Sequence, residues 1–253
     1  MKLVFLGTGT SQGIPVIGCT CKVCQSSDFR DKRLRVSVLF QIGNTNLVID
    51  TGPDFRQQML RERISKIDAI IYTHQHKDHT AGLDDIRPFN HKHSMDMPLY
   101  GRRSVLDQLK TEFSYIFENI TYPGIPKVVL NQIQNEDFFI NGVKVTPIEV
   151  MHHKLPVYGF RIGEITYITD ANFISEKEKE KIKGSKILVV NALQKTPHLS
   201  HFTLSEAVKL IEELNPEQAY LIHMSHTMGT HKEVSKELPA GIQFAYDGLV
   251  VEC

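Results

Sequence analysis

Short apolar runs rich in β-branched residues recur along the whole chain. Each run is bounded by Gly, Pro, Asn, Asp or a charged residue, and bounded runs of this kind are typical of β-strands. Eight segments show the pattern: residues 2–7, 35–43, 45–50, 68–73, 142–150, 164–170, 186–191 and 218–224. We therefore expect a protein built mainly on β-sheets, with helices and loops between the strands.

One segment has the signals of an amphipathic helix. In residues 203–215, Thr203 and Glu206 have the spacing of a capping box, apolar side chains recur every three or four positions, and a proline follows the end. The charged run 175–184 is typical of the solvated face of another helix. Residues 86–127 are less regular and are expected to supply loops and helices over one edge. The whole pattern predicts a mixed protein with largely antiparallel sheets.

Composition and charge narrow the class of protein. The 253 residues are 41% hydrophobic, which is enough for the core of a single domain over residues 1–253. Basic and acidic residues number 29 each, whereas proteins that bind long nucleic acids usually carry a basic excess. This balance of charge does not argue against a small phosphate ester as the substrate. Apolar runs are too short for a signal peptide or a membrane span, so we expect a cytoplasmic protein without membrane partners, in which disulfides are uncommon.

The stretch YTHQHKDHTAG, residues 72–82, concentrates potential metal ligands directly after a predicted strand. His74 and His76 would point to the same side of an extended backbone, because side chains alternate along a strand. Asp78 and His79 follow where the chain can turn toward a neighbouring point. Imidazole and carboxylate ligands together suit zinc, manganese, iron or nickel. The spacing favours one loop that contributes to two metal sites.

Two coordination spheres need further donors, and four candidates share one kind of position. Each stands at or near the end of a predicted strand, where donors from several strands can meet on a rigid scaffold. The candidates are His152, His153, Asp170 and His223. A lone histidine is more often structural, but a dense motif combined with strand-end donors predicts a metal centre.

The same stretch resembles the His-x-His-x-Asp-His motif of the metallo-β-lactamase superfamily. The resemblance continues through LVIDTGPDFR, TYITDAN and FAYDG and so covers nearly the whole chain. It implies an α+β fold, the αββα metallo-β-lactamase sandwich of two mixed, largely antiparallel sheets flanked by helices. It also implies a first metal held by His74, His76 and His152, a second held by Asp78, His79 and His223, and Asp170 between them.

His152 is preferred to His153 because HHKLPVYGF resembles the family's His-Gly-Lys-Leu-Pro pattern with the ligand first. His153 then stands at the place of the glycine, and it stays open as the alternative ligand. Asp50, in VIDTG, has two interpretations. Its carboxylate could accept the free ring N–H of a ligating histidine, or it could be an ordinary turn aspartate.

A pair of metals can bind a hydroxide between them and neutralise the oxygens of a phosphoryl transfer. We therefore expect a metal-dependent hydrolase, most simply a phosphodiesterase that cleaves a small phosphate ester, with zinc or manganese as the metals and Asp78 among the catalytic residues. His201 precedes the predicted helix at the place of the family's proposed proton donor, so the resemblance implies a general acid there. His198 is expected to be a surface residue.

The stretch GCTCKVC, residues 18–24, contains three of the four cysteines. A disulfide between Cys19 and Cys21 would close a strained loop. The Cys-x-x-Cys pair Cys21 and Cys24 lacks the βαβ context of a thioredoxin motif. Three thiols and one distant donor can instead form a closed tetrahedral zinc site.

The fourth ligand of such a site is predicted to be His226, three residues after His223, with Cys253 as the alternative. The cysteine spacing together with His226 resembles the PhnP-like cyclic phosphodiesterases, a subgroup of the superfamily. This resemblance implies one structural zinc beside two active-site metals, a phosphoribosyl-type cyclic phosphate as substrate, and a homodimer. The thiols would then hold the loop after the first strand against the segment of His223.

Other functions stay open on this sequence. A lactone or thioester hydrolase is the first alternative, because the same hydroxide can attack a carbonyl carbon. An RNA-processing endonuclease is disfavoured by the zero net charge, and a non-catalytic metal sensor by the complete set of donors. The glycines of LGTGTSQG do not form a dinucleotide site, because Ile14 and Pro15 follow where a helix should begin.

Overall fold

Two β-sheets make up the centre of the protein. The computed structural model describes residues 1–118, 122 and 124–253. The strands of the described chain are β1 (Lys2–Gly7), β2 (Ser37–Ile42), β3 (Thr45–Ile49), β4 (Ala69–Ile71), β5 (Met97–Gly101), β6 (Val128–Gln132), β7 (Phe138–Ile140), β8 (Val143–His152), β9 (Leu155–Ile162), β10 (Ile165–Ile168), β11 (Phe173–Ile174), β12 (Ile187–Asn191), β13 (Gln218–Ile222), β14 (Ile242–Phe244) and β15 (Val250–Glu252).

Helices lie between the strands. In the described chain they are α1 (Phe55–Arg61), α2 (Lys77–Thr80), α3 (Arg87–His93), α4 (Arg103–Glu112), α5 (Ser114–Phe117), α6 (Glu176–Ile182), α7 (Leu204–Leu214) and α8 (His231–Val234). Two short 3-10 helices cover Phe29–Asp31 and Leu83–Ile86. Within the described ranges, every helix is too short or too polar to cross a membrane.

Each sheet has an antiparallel half and a parallel half. The first sheet has the order β15-β1-β2-β3-β4-β5-β6, antiparallel as far as β3 and parallel beyond it. The second has the order β11-β8-β9-β10-β12-β13-β14, with β7 also paired to β8. It is antiparallel as far as β10 and parallel from β10 to β14. The prediction of two mixed sheets is confirmed, although the parallel halves are larger than the sequence pattern indicated.

The inner faces of the sheets pack against each other, and helices cover their outer faces. Side chains alternate along each strand, so that in β1 Leu3 and Phe5 join the core between the sheets. Val4 and Leu6 point the other way, toward α1, α3 and α4. On the second sheet, α6 and α7 cover the outer face. The resulting order of helix, sheet, sheet and helix is the αββα sandwich, and burial on both faces explains why the strand runs are almost continuously apolar.

The eight strands predicted from the sequence are all present, with ends shifted by no more than two residues. The helix predicted over 203–215 is α7, and Thr203 and Glu206 form the capping box at its start. The charged run 175–184 forms α6. The irregular region 86–127 supplies α3, α4 and α5 together with β5, and part of it, 119–121 and 123, lies outside the described residues.

Several strands were not predicted, and β9 shows why. Its sequence LPVYGFRI contains a proline and a glycine, which usually argue against a strand. Gly159 is required there because a Cβ atom would lie 2.9 Å from the carbonyl oxygen of Tyr167 on the neighbouring β10. The close approach of two backbones is a tertiary feature, and a local pattern does not show it.

Candidate metal centre

The motif loop connects β4, which ends at Ile71, to α2, which begins at Lys77. Asp50 fixes this loop, because its carboxylate accepts hydrogen bonds from the Thr73 N–H and the Thr73 hydroxyl, both at 2.8 Å. The second oxygen of Asp50 also lies 2.7 Å from Nδ1 of His79. This contact places the ring proton of His79 on Nδ1 and leaves Nε2 free to bind a cation. Burial raises the pKa of Asp50, and the imidazole of His79 opposes that effect.

The segment after Asp50 packs directly on the motif. The Thr51 N–H donates to the carbonyl oxygen of His79 at 2.8 Å. Gly52 lies so close to the start of α2 that a Cβ atom would be 2.2 Å from the carbonyl oxygen of Asp78. Only glycine fits this approach, so the sequence Asp-Thr-Gly positions both motif residues that follow His76.

A first group of nitrogen donors combines the motif with the end of β8. His74, His76 and His152 each contribute one ring nitrogen, and these three nitrogens lie within 4.8 Å of one another. Nε2 of His74 is 3.0 Å from Nδ1 of His76. Nδ1 of His152 lies 2.9 Å from the carbonyl oxygen of Ser200, to which it donates, so Nε2 of His152 is left free toward the group.

His153 does not join this group. Its side chain is exposed, its φ is +57°, and its N–H donates to Oδ1 of Asn172 at 2.8 Å. The structure therefore brings His152, and not its neighbour, together with His74 and His76.

Asp170 lies between the first group and the remaining donors. Its Oδ2 is 3.9 Å from Nε2 of His74 and 3.5 Å from Nε2 of His79, and its Oδ1 is 2.9 Å from Nδ1 of His223. Asp78 has an oxygen 3.2 Å from Nε2 of His79 and forms a second group with Asp170 and His223. All seven predicted donors thus meet at one edge of the sandwich.

Three residues of this edge have left-handed backbone at the ends of strands. The φ angles of Asp50, Asp170 and His223 are 64°, 55° and 58°. Each such non-glycine residue costs about 1–2 kcal/mol, and strain of this kind concentrates at functional sites. Asn191, which the sequence analysis did not single out, supports the turn after Asp170, since its amide bonds both the N–H and the carbonyl of Ala171 at 2.8 and 2.9 Å. Its only sequence signal is its position as the polar end of a predicted strand.

The donor atoms are arranged for cations. Nε2 of His79 is buried and makes no well-aligned hydrogen bond to the described chain, although oxygens of Asp78 and Asp170 lie within 3.5 Å. Burial by itself would lower the pKa of His79, but the carboxylates of Asp78, Asp170 and Asp50 raise it. Imidazole nitrogens and carboxylate oxygens turned toward a shared space are the ligands of divalent transition metals. These residues therefore fit a dinuclear metal centre.

His201 stands over the same space. Its ring centroid is 4.6 Å from that of His152 and 4.7 Å from that of His223. The side chain is buried, and its Nδ1 has no hydrogen-bond partner among the described residues. Burial is the main reason that the pKa of His201 falls to about 3, and Asp170 opposes the effect. The Thr203 cap of α7, two residues later, determines where the loop with His201 ends.

A second set of donors lies in the loop after β1. Nδ1 of His226 is 3.3 Å from Sγ of Cys19, 3.4 Å from Sγ of Cys21 and 3.7 Å from Sγ of Cys24. These four residues, the cysteine–histidine cluster, place one ligand atom each within 4.8 Å of one another. Cys253 is not part of the cluster: it is exposed, and its N–H donates to the carbonyl of Met1.

The thiols of the cysteine–histidine cluster differ in acidity. Hydrogen bonds from the Cys24 N–H, and next from His226, lower the pKa of Cys21 to about 6, so that it is a thiolate at neutral pH. Burial raises the pKa of Cys24 to about 11. A cation bound in the cluster would also displace the proton of Cys24, because metal-bound thiols are deprotonated. Three sulfurs and one imidazole nitrogen fit zinc.

A buried polar network below the cysteine–histidine cluster was not foreseen. The Arg33 guanidinium donates to the hydroxyl of Thr8 at 2.7 Å and the carbonyl of Ala245 at 2.6 Å, and lies 3.2 Å from Nδ1 of His231. The N–H of His231 donates to Oδ1 of Asp31 at 2.6 Å. These contacts tie the segment after His226 to the end of β1. A local sequence pattern does not show the contacts of Ala245 and His231, because their partners Arg33 and Asp31 are about 200 residues away in the sequence.

Comparisons with known proteins agree with this geometry. Residues 45–224 match the model of the β-lactamase superfamily domain. The structure superposes on that of a diphosphatase from the PhnP family with a TM-score of 0.94 and 42% identity, covering 100% of this chain and 97% of the other. The chain is a PhnP-family member of the β-lactamase superfamily. Its fold is accordingly that of the metallo-β-lactamase superfamily.

Other relatives of this PhnP-family chain carry different names. It is 38% identical over 253 residues to an octanoyltransferase from Porphyromonas gingivalis, covering 98% of this chain but 51% of that protein. It is 28% identical over 169 residues to a ribonuclease Z from Listeria monocytogenes, covering 65% of this chain and 49% of that protein. The chain therefore spans about half the length of these curated relatives. Zn²⁺-bound PqqB from Methylobacterium extorquens shares the fold, with a TM-score of 0.82 and 19% identity.

Proposed function

We propose that this protein is a phosphodiesterase that cleaves small phosphate diesters at a centre of two divalent metals, zinc or manganese. The proposal of a phosphate ester as substrate rests on the similarity, over the whole chain, to a PhnP-family diphosphatase. The donor set supports it, because two metal sites can neutralise the attacking and leaving oxygens of an in-line displacement. The first site would be formed by His74, His76 and His152, the second by Asp78, His79 and His223, with Asp170 shared.

When bound, the metals would supply Lewis-acid charge neutralisation and an acidified water. The protein fixes the positions of the ligand atoms. Asp50 holds the tautomer of His79, and the Ser200 carbonyl does the same for His152, so that a lone pair of each ring faces the site. The carboxylate of Asp170 lies near donors of both groups and would be shared by the two sites.

His201 is proposed to assist the leaving group. In the ligand-free protein its pKa of about 3 keeps the ring neutral at pH 7. An anionic phosphate beside the ring opposes the effect of burial and raises that pKa. The ring can then protonate the departing alkoxide, which is the demand of an ester with a poor leaving group.

A substrate panel tests the proposed function. Purified protein loaded with zinc or manganese is assayed with bis(p-nitrophenyl) phosphate, a lactone, an acyl thioester and a precursor transfer RNA. We expect the highest kcat/KM on the phosphate diester. An acyl hydrolase is the second candidate, favoured by the octanoyltransferase relative, and a higher kcat/KM on the thioester would support it instead. Preferential cleavage of the RNA would place the protein with the ribonuclease Z relatives.

The role of His201 predicts a dependence on the leaving group. His201→Gln should lower kcat about 100-fold or more for an alkyl phosphodiester, because general acid catalysis contributes roughly 10²–10⁴. The loss should be less than about tenfold for a p-nitrophenyl ester, whose leaving group needs no proton. The measurement is kcat against the pKa of the leaving group. His91→Gln, at an exposed histidine of α3, is the control. An equal loss for all leaving groups would show that His201 acts only through packing.

A further inference from the structure

A second cavity lies beside β14, the last strand of the second sheet. Its volume is about 360 Å³, and it is bounded by α8, by β14 and the residues after it, and by the 3-10 helix Phe29–Asp31. We name this cavity the α8 pocket. Its described lining shares no residue with the donor groups of the metal centre or with the cysteine–histidine cluster. A cavity of this volume is large enough for a small organic molecule.

Cationic and hydrogen-bonding side chains surround the α8 pocket. Two nitrogens of Arg30, Nε and Nη2, donate to the carboxylate of Asp28 at 3.0 and 2.7 Å, which leaves Nη1 for a ligand. Lys232 is exposed, and the carboxylate that follows it, Glu233, pairs with Lys22 instead. The polar members of the described lining are Arg30, His231, Lys232, Ser235, Gln243 and Tyr246, and this described lining contains no aspartate or glutamate. Such a lining favours an anionic ligand.

The tautomer of His231 is fixed by the buried network behind the pocket. Nη2 of Arg33 lies 3.2 Å from Nδ1 of His231. Because an arginine side chain has donors only, Nδ1 accepts and the proton of the neutral ring is on Nε2. Burial, and next the Arg33 cation, lower the pKa of His231 to about 4, so the ring is neutral at pH 7. The Nε2–H has no acceptor among the described residues, and it is therefore available to a ligand of the α8 pocket.

Aromatic rings form one wall of the α8 pocket. The ring centroid of Tyr246 lies 5.9 Å from that of His231 and 5.6 Å from that of Phe29, and both pairs meet edge to face. Phe29 precedes Arg30 in the sequence and is 65% exposed, so a face of its ring is open to solvent. The buried side chains of Ile242 and Phe244 add apolar surface to the lining. A planar ring can stack on such a wall.

We propose that the α8 pocket binds a nucleoside monophosphate, with the phosphate at Arg30, Lys232 and His231 and the base against the aromatic wall. A phosphate monoester carries about two negative charges at pH 7 and three acceptor oxygens. The two cationic side chains and the Nε2–H of His231 match these charges and acceptors. The inference does not depend on the proposed phosphodiesterase function, because the described lining of the pocket and the donors of the metal centre are different residues.

A single fluorophore tests the α8 pocket directly. The chain contains no tryptophan, so Phe29→Trp places the one indole of the protein at the edge of the pocket. Adenosine monophosphate added to the metal-loaded variant should change its emission and saturate with a Kd of about 100 µM. Inorganic phosphate alone and adenosine alone should each bind at least about tenfold more weakly, because the first lacks the stacking contact and the second lacks the charge.

Second substitutions in the Phe29→Trp protein assign the contacts. Lys232→Met should raise the Kd for adenosine monophosphate about tenfold, because it removes a charge-assisted contact. Lys236→Met is the matched control: this lysine is also exposed and lies four residues further along, but it is outside the lining of the pocket. It should keep the Kd. Asp78→Ala should keep it too, because binding at the metal centre does not contribute to the signal.

Several outcomes would contradict the α8 pocket as a nucleotide site. The first is an emission that does not saturate, and the second is a loss of the signal in the Asp78→Ala background, which would place the nucleotide at the metal centre. Equal affinity for phosphate alone would reduce the pocket to a site for inorganic anions. Phe139→Trp, at a similarly exposed ring of β7, is the reporter control. An equal change in its emission would show an effect on the whole protein and not binding in the pocket.

Discussion

Asp78→Ala is expected to abolish phosphodiesterase turnover and leave the fold intact. Asp78 has one oxygen 3.2 Å from Nε2 of His79 and belongs to the group with Asp170 and His223. Removal of this carboxylate would take away a proposed metal ligand, and with it a negative charge that would offset the charge of the cation. If the transition-state stabilisation lost is about 4 kcal/mol, turnover falls about a thousandfold. The measurement is kcat/KM on bis(p-nitrophenyl) phosphate, with metal content by mass spectrometry and folding by circular dichroism.

The matched control is Asp85→Ala. Asp85 lies seven positions further along the same stretch, in the 3-10 helix Leu83–Ile86, and is similarly half-buried. It belongs to neither donor group. Its variant should keep full activity and full metal content. Activity of Asp78→Ala within about tenfold of wild type would mean that the chemistry occurs elsewhere.

The part of the site that is local in sequence was predictable, because the spacing of residues along the motif determines which of their side chains lie close together. Four of the donors fall within the six residues His74–His79, and the alternation of a strand end already places two imidazoles on one side. The expectation that donors stand at or near strand ends then selected Asp170 and His223, without any knowledge of which strands are neighbours. This expectation holds because donors on a shared sheet edge converge whatever the order of the strands.

The parts that were not predicted depend on distant partners. The strand β9 needs Gly159 for its approach to β10, and Arg33 contacts Ala245 and His231, which are about 200 residues away in the sequence. Parallel pairing in particular joins strands that are separated by a helix, and a local hydrophobic pattern does not distinguish it from antiparallel pairing. The preference for His152 over His153 came from a resemblance, and the backbone gives a physical reason for it: one residue later, the turn has already directed the side chain to solvent.

Cys21→Ser is expected to remove one zinc per chain and to lower thermal stability before it affects turnover. The loop around the cysteine–histidine cluster contains little regular structure, and its apolar support consists of Ile14, Val23 and Cys24 with a few half-buried neighbours. A cation bound by the cluster would therefore supply much of the free energy that orders this loop. If the loss of one thiolate costs about 3 kcal/mol, the melting temperature falls by about 6–12 °C. Calorimetry and metal stoichiometry measure the two effects.

Cys253→Ser is the matched control, since it changes the same atom at an exposed thiol outside the cluster. It should keep both the zinc and the melting temperature; loss of zinc in this variant as well as in Cys21→Ser would make Cys253, and not His226, the fourth ligand. Turnover at 25 °C should fall less than about tenfold in Cys21→Ser. The cluster is connected to the site through Met224 and Ser225, which lie between His223 and His226, and through the hydrogen bonds of Met224 with Thr8 and Thr10. Unchanged metal content in Cys21→Ser would show that the thiols order the loop without a cation. A thousandfold loss of turnover at full stability would instead assign the cysteines to the chemistry.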